Sequence, residues 1–161
     1  MKKIIFISLA IFLTSCMSFH EIAKGTSQSD IDSIPKGATK IIVENDKSMQ
    51  ENYIMSYQTL ISQNFKIEKS NKKMGYILAN NTEPGDTRMR LNIICKDNTI
   101  NINVDWSAGT QTGAMISAMG MYSANFTWYH AKWAKNNTKS TTAFLYAFKF
   151  AQKLGGIIKF E

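Results

Sequence analysis

Between residues 88 and 106 apolar and polar side chains alternate in two runs, separated by Asp97-Asn98. Met89, Leu91, Ile93 and Cys95 alternate with Arg88, Arg90, Asn92, Ile94 and Lys96. Ile100, Ile102, Val104 and Trp106 alternate with Thr99, Asn101, Asn103 and Asp105. A period of two marks strands with one buried face. A two-residue turn at Asp97-Asn98 joins them as a hairpin. Cys95 then faces Ile100, Ile93 faces Ile102, Leu91 faces Val104 and Met89 faces Trp106. On the other face Asn92 meets Asn103, and Arg90 meets Asp105 as an opposite-charge pair. A slip of one residue breaks every match, so the pattern specifies the register.

Two stretches carry helical spacing instead. Ser48 and Glu51 have the spacing of a capping box, in which each side chain satisfies a backbone N–H of the other. Met49, Tyr53, Tyr57, Leu60 and Ile61 follow as an apolar stripe, and Asn64 is placed to end the helix in the left-handed conformation. Near the C-terminus Ser140 or Thr141 can cap a second helix with the stripe Phe144, Ala147, Phe148, Ala151 and Leu154, and Gly155-Gly156 stops it.

Shorter runs read as strands: Lys40 to Glu44, Phe65 to Glu68, Met74 to Ala79 and, at the end, Ile157 to Phe160. Asn80 to Asp86 is a turn cluster, and Lys69 to Lys73 a solvated hairpin turn. The order is β-α-β-β-β-β-α. It predicts an α+β two-layer sandwich, with an antiparallel sheet of four to six strands and two helices on one face. The polar sheet face is expected to be wet.

One segment interrupts this pattern. From Trp106 to Ala131 there are 26 residues without Asp, Glu, Lys or Arg. It holds three glycines, Met115, Met119, Met121 and the run Trp128-Tyr129-His130. Its many Ser, Thr, Gln and Asn residues dilute it below what a bilayer span demands. The stretch 107–131 reads as an insertion loop. The other reading is an adaptable apolar surface for a partner or a lipid interface, because methionine-rich surfaces repack readily.

The N-terminus carries a different signal. Lys2 and Lys3 precede the apolar run Ile4 to Leu13. Ten residues are too few for a bilayer core, which needs ~20. A basic start before a short apolar run is the pattern of a secretory signal. The run closes in Leu13-Thr14-Ser15-Cys16, which resembles the lipobox of bacterial lipoproteins. That resemblance implies cleavage after residue 15 and acylation of Cys16. It implies membrane lipid as a partner through that cysteine. Met17 follows Cys16 where an aspartate would retain an enterobacterial lipoprotein in the inner membrane. The resemblance therefore implies an outer-membrane anchor facing the periplasm. Residues 16–37, with Gly25, Pro35, Gly37 and several small polar residues, read as a flexible tether. Residues 38–161 form one domain.

Composition narrows the function. The chain has 161 residues, a net charge of +7, 44% hydrophobic and 19% charged residues. This excludes disordered tails and low-complexity classes. Removing residues 1–15 takes away Lys2 and Lys3, and the remaining basic residues are scattered, so no nucleic-acid partner is expected. Two cysteines permit neither a disulfide scaffold nor a four-thiolate zinc site. Cys95 falls on the apolar face of its strand and reads as core. His130 is the only histidine of the domain, too few for a zinc site. No serine sits in a nucleophile elbow and no glycine-rich turn carries a following Lys-Ser or Lys-Thr. No catalytic residues, metal or cofactor are expected. The candidate binding residues are Trp128, Tyr129, His130 and Trp133, with Arg88, Arg90 and Asp105 on the polar sheet face. The aromatics offer a platform for sugar or peptide, and alternatively two of their rings cap the core. The expected function is a non-enzymatic envelope lipoprotein that binds or scaffolds an envelope protein. The alternative is a module for cell-wall glycan.

Overall fold

The computed structural model describes residues 25–81, 87–108, 127–136 and 138–161. The expectations for Cys16 and its signal, for most of the turn cluster up to Asp86, and for the middle of the insertion fall outside these residues.

The described chain runs α1 (Gln28–Ser33), β1 (Lys40–Glu44), α2 (Met49–Ser62), β2 (Phe65–Asn71), a 3-10 turn (Lys72–Met74), β3 (Tyr76–Asn81), β4 (Thr87–Lys96), β5 (Thr99–Ala108), β6 (Tyr129–His130), α3 (Lys139–Leu154) and β7 (Ile157–Phe160). The strands form one antiparallel sheet in the order β2-β3-β4-β5-β1-β7, with β6 also paired to β5. The protein is an α+β sandwich, and the sheet of the described residues has seven strands, one more than the expected upper limit. No helix among the described residues is long and apolar enough to cross a membrane.

The β4–β5 hairpin pairs in the register its alternation dictates, from Met89 opposite Trp106 to Cys95 opposite Ile100. Asn98 takes a positive φ of 62° in its turn. The inward residues of the hairpin join Ile41, Val43, Ile77, Ala79 and Phe65 from neighbouring strands under the helices. This removal of apolar surface from water is the main favourable contribution to the fold.

Helix α3 buries the whole expected stripe, and adds Ala143, Leu145 and Phe150 to it. Its cap differs from expectation. Thr138 takes the N-cap position and accepts from the Thr141 N–H. Ser140 instead bonds both backbone groups of Lys132, and Thr141 donates to the Ala134 carbonyl. The helix thus starts where its first turn can also tie down the preceding segment. At its other end Gly156 has φ 92°, and a Cβ there would collide with the Glu44 carbonyl oxygen. Only glycine lets the chain turn so closely back onto β1.

Helix α2 has the expected capping box, and Asn64 the expected left-handed conformation, with φ 60°. Ile61, placed on its inward stripe, is 51% exposed. Asn52, Ser56 and Leu60 recur at four-residue spacing and occupy the inward face instead. Hydrogen bonding to Ser48, its hydroxyl first and its backbone second, holds the Glu51 carboxyl below the usual carboxylate range. A depressed folded-state pKa contributes stability above the unfolded value and loses it as pH falls through the folded one. The melting-temperature gap between the parent and Glu51→Gln should therefore be largest near neutrality and close between about pH 5 and 3. A gap independent of pH would remove this role for the carboxylate.

The spacer expected over 16–37 needs a correction at its far end. Ser27 caps α1 through the Asp30 N–H, and Ile31 and Ile34 are buried in the core. Gln152 of α3 bonds Asp30, and the Gly37 N–H bonds the Trp133 carbonyl. A helix of six residues gives little periodic signal among small polar neighbours. Ile31 and the C-cap residue Ile34 are held by tertiary contact rather than by local propensity.

Candidate functional site

The sheet face opposite the helices carries a polar row. Strand pairing sets Asn80, Arg90, Asp105 and His130 side by side across β3, β4, β5 and β6. Each is the residue its register places there, since one-residue alternation sends its neighbours to the helix side.

Asp105 is the centre of this row. Its side chain is 9% exposed, and both its oxygens are engaged. Arg90 reaches Oδ2 with Nη2 at 3.0 Å and Nε at 3.3 Å. His130 places Nδ1 2.6 Å from Oδ1. The guanidinium of Arg90 also lies 4.4 Å from the centre of the Trp128 ring, within cation–π range. A carboxylate accepts at Nδ1, so the imidazole carries its proton there and turns Nε2 outward. His130 itself is 86% exposed at the side chain. The pair Arg90–Asp105 was readable in the hairpin register. The third member comes from a strand of two residues at the end of the insertion.

This arrangement orients an imidazole and clamps a guanidinium against an indole. An oriented imidazole becomes a general base for covalent catalysis only beside a nucleophile. Among the described residues no hydroxyl or thiol is bonded to His130. No group of three or more His, Cys, Asp or Glu side chains that could hold a metal occurs among them either.

The aromatic platform expected from Trp128, Tyr129 and Trp133 is not one surface. Trp133 is 1% exposed and packs against Phe144 at 6.1 Å, so it belongs to the core. Tyr129 pairs with Trp106 in register and its ring sits 5.3 Å from that indole, at the helix-side rim. Trp128 lies with Arg90 on the polar face. Alternation along β6 separates Tyr129 from its two neighbours, and burial removes Trp133. Arg88 is exposed on the polar face, in register with Ser107.

Cys95 is buried, with its thiol 3.7 Å from the Ser56 hydroxyl. Burial pushes the thiol pKa up, and the Ser56 hydrogen bond opposes this more weakly. It is a core residue, as its strand position predicts.

One organising residue was not singled out from the sequence. Asn52 is fully buried, donates to the carbonyls of Lys47 and Lys96, and accepts from Asn45. It joins the loop before α2 to the hairpin turn. The available signal was its place among apolar residues: an amide on the inward face of a helix must find partners.

No protein-family model matches the chain, and no curated protein matches it at a significant level. Among solved structures it is similar to a TBP-like protein from Parabacteroides distasonis, with 18% identity and a TM-score of 0.36, over 70% of this chain and 90% of that one.

Proposed function

We propose that this protein is a lipoprotein of the bacterial envelope, anchored through acylated Cys16, whose α+β domain binds or scaffolds another envelope component. The observation that carries this reading is Leu13-Thr14-Ser15-Cys16 at the end of a basic-then-apolar leader. Met17 after that cysteine supports an outer-membrane anchor facing the periplasm. Acyl chains contribute ~0.8 kcal/mol per buried methylene, so two or three hold a protein firmly where one does not. The domain's side of the reading rests on the row Arg90–Asp105–His130: its groups are held in fixed positions, which suits recognition.

The test uses the full chain in a diderm host supplied with an alkyne-bearing palmitate. The parent should take up label and fractionate with membranes. Cys16→Ser should lose the label completely. An unlabelled parent overturns the anchor. Crosslinking in the same membranes should capture an envelope partner above background, and recovery of none overturns the scaffold.

A second reading has one specific observation in its favour. Trp128, Arg90 and His130 combine a ring, a clamped guanidinium and an oriented imidazole on one face, a set that suits cell-wall glycan. Sedimentation with purified cell wall should fall after Trp128→Ala. Unchanged sedimentation removes this reading. Trp133, being core, does not belong in the test.

A further inference from the structure

The two outer edges of the sheet are built differently. At one edge β2 has a bulge between Ile67 and Lys69, and Lys66 and Lys69 are exposed along it. Such a bulge discourages the addition of another strand. At the other edge β7 runs without an irregularity in its pairing to β1, and Ile157 is 65% exposed. The hydrogen-bonding phase of β7 is also defined. Glu161 and Lys40 exchange both backbone bonds, at 3.1 and 3.0 Å. Alternation along an antiparallel pair then turns the N–H and C=O of Lys159 and Ile157 toward β1. Those of Ile158 and Phe160 point away from the sheet.

We propose that a second copy of this chain pairs at this edge, β7 against β7, antiparallel about a two-fold axis at Lys159. Ile158 of each copy pairs with Phe160 of the other, and the outward backbone groups satisfy one another. The sheet then runs unbroken through both copies. On the helix side this register sets Ile158 beside the partner's Phe160, which extends the cluster that Phe160 already makes with Phe144 and Phe148. On the open face the two Lys159 side chains stand opposite each other, and each chain's own carboxylate offsets the like charge. Lys159 is held by its own Glu44 at 2.7 Å. It stands diagonally across from the partner's Glu161, a carboxylate that Lys40 of its own chain already holds. The two lysines at the axis are thus flanked by carboxylates on both sides. Ile157 lies opposite the partner's Glu161, whose aliphatic stem covers it. Moving the axis to Ile158 would set Phe160 against the partner's Gly156 and leave the ring without a neighbour. The contact is isologous and closes on itself, so it forms a pair and not a fibre. Its small size places it among transient contacts.

The test is a disulfide trap in the full chain, purified in detergent. Lys159 is 57% exposed at its side chain, so Lys159→Cys leaves the fold intact, which an unchanged melting curve verifies. At the axis the two positions form a non-hydrogen-bonded pair, whose close approach suits a disulfide. Under mild oxidation with diamide, Lys159→Cys should give covalent dimer at least about tenfold faster than Lys69→Cys on the other edge, and than the parent with its native cysteines. The product should stop at the dimer. Equal rates at the two edges, or a ladder of larger species in place of the dimer, overturn the proposal.

Discussion

Phe144→Ala should lower the free energy of unfolding by about 3–5 kcal/mol, measured by urea denaturation. Phe144 is completely buried, and its ring lies 6.1 Å from Trp133 and 6.4 Å from Phe160. It therefore touches the segment after β6 and the last strand at once. Truncation removes the transfer free energy of the ring and leaves a cavity that α3 cannot close, because the other buried residues of the helix, among them Ala143, Leu145, Ala147 and Phe148, hold it in place. Tyr129→Ala is the control: the residue is 51% exposed at the rim, and loss of its ring should cost no more than about 1 kcal/mol. Equal losses in the two variants would mean that Phe144 is not at the centre of the core.

Asp105→Ala should cost about 3 kcal/mol, and it should also disorder the polar row. Most of that cost is not the loss of attraction. Arg90 is 25% exposed at its side chain and would keep its charge with no carboxylate beside it. His130 would lose the acceptor that fixes its proton on Nδ1. The pair variant Asp105→Ala with Arg90→Met separates these effects. Removing both partners leaves no stranded charge, so it should recover a substantial part of the stability. Fluorescence of Trp128 offers a second readout, since its indole loses the guanidinium in the pair variant. If the pair variant is no more stable than Asp105→Ala, the stranded charge is not the cause.

The two variants probe parts of the molecule that were legible to different degrees. The Arg90–Asp105 pair follows from alternation and a two-residue turn, because a strand's side-chain period is two and both runs share one phase. His130 could not be added to it by pattern. A strand of two residues has no periodicity, and 24 residues lie between Asp105 and His130 along the chain. The same limit applies to the aromatic run. Trp128, Tyr129, His130 and Trp133 are close in sequence, but adjacent residues on a strand face opposite ways, and Trp133 lies beyond the strand where the core receives it. Closeness along the chain was a poor guide to a shared surface.

Helix α2 shows a finer case. Its start was legible through Ser48 and Glu51, because a capping box is local chemistry. Its inward face was shifted, because Asn52 and Ser56 break the apolar stripe where it matters. Asn52 is tolerated inside only because Asn45 and Lys47 of the preceding loop and Lys96 of β4 come to meet it. That fact belongs to the tertiary structure.

By itself the sequence determined the α+β class, the hairpin register, the start of α2 at its capping box, the stops of α2 and α3 at Asn64 and Gly155-Gly156, and the core position of Cys95. All of these depend on neighbours within one or two elements, where side-chain period and backbone sterics leave few choices. Only the tertiary structure decided that β1 and β7 lie beyond β5, that α1 packs into the core, and that His130 and Trp128 join the Arg90–Asp105 pair. These depend on which distant surfaces bury each other best, and a linear pattern does not record that competition.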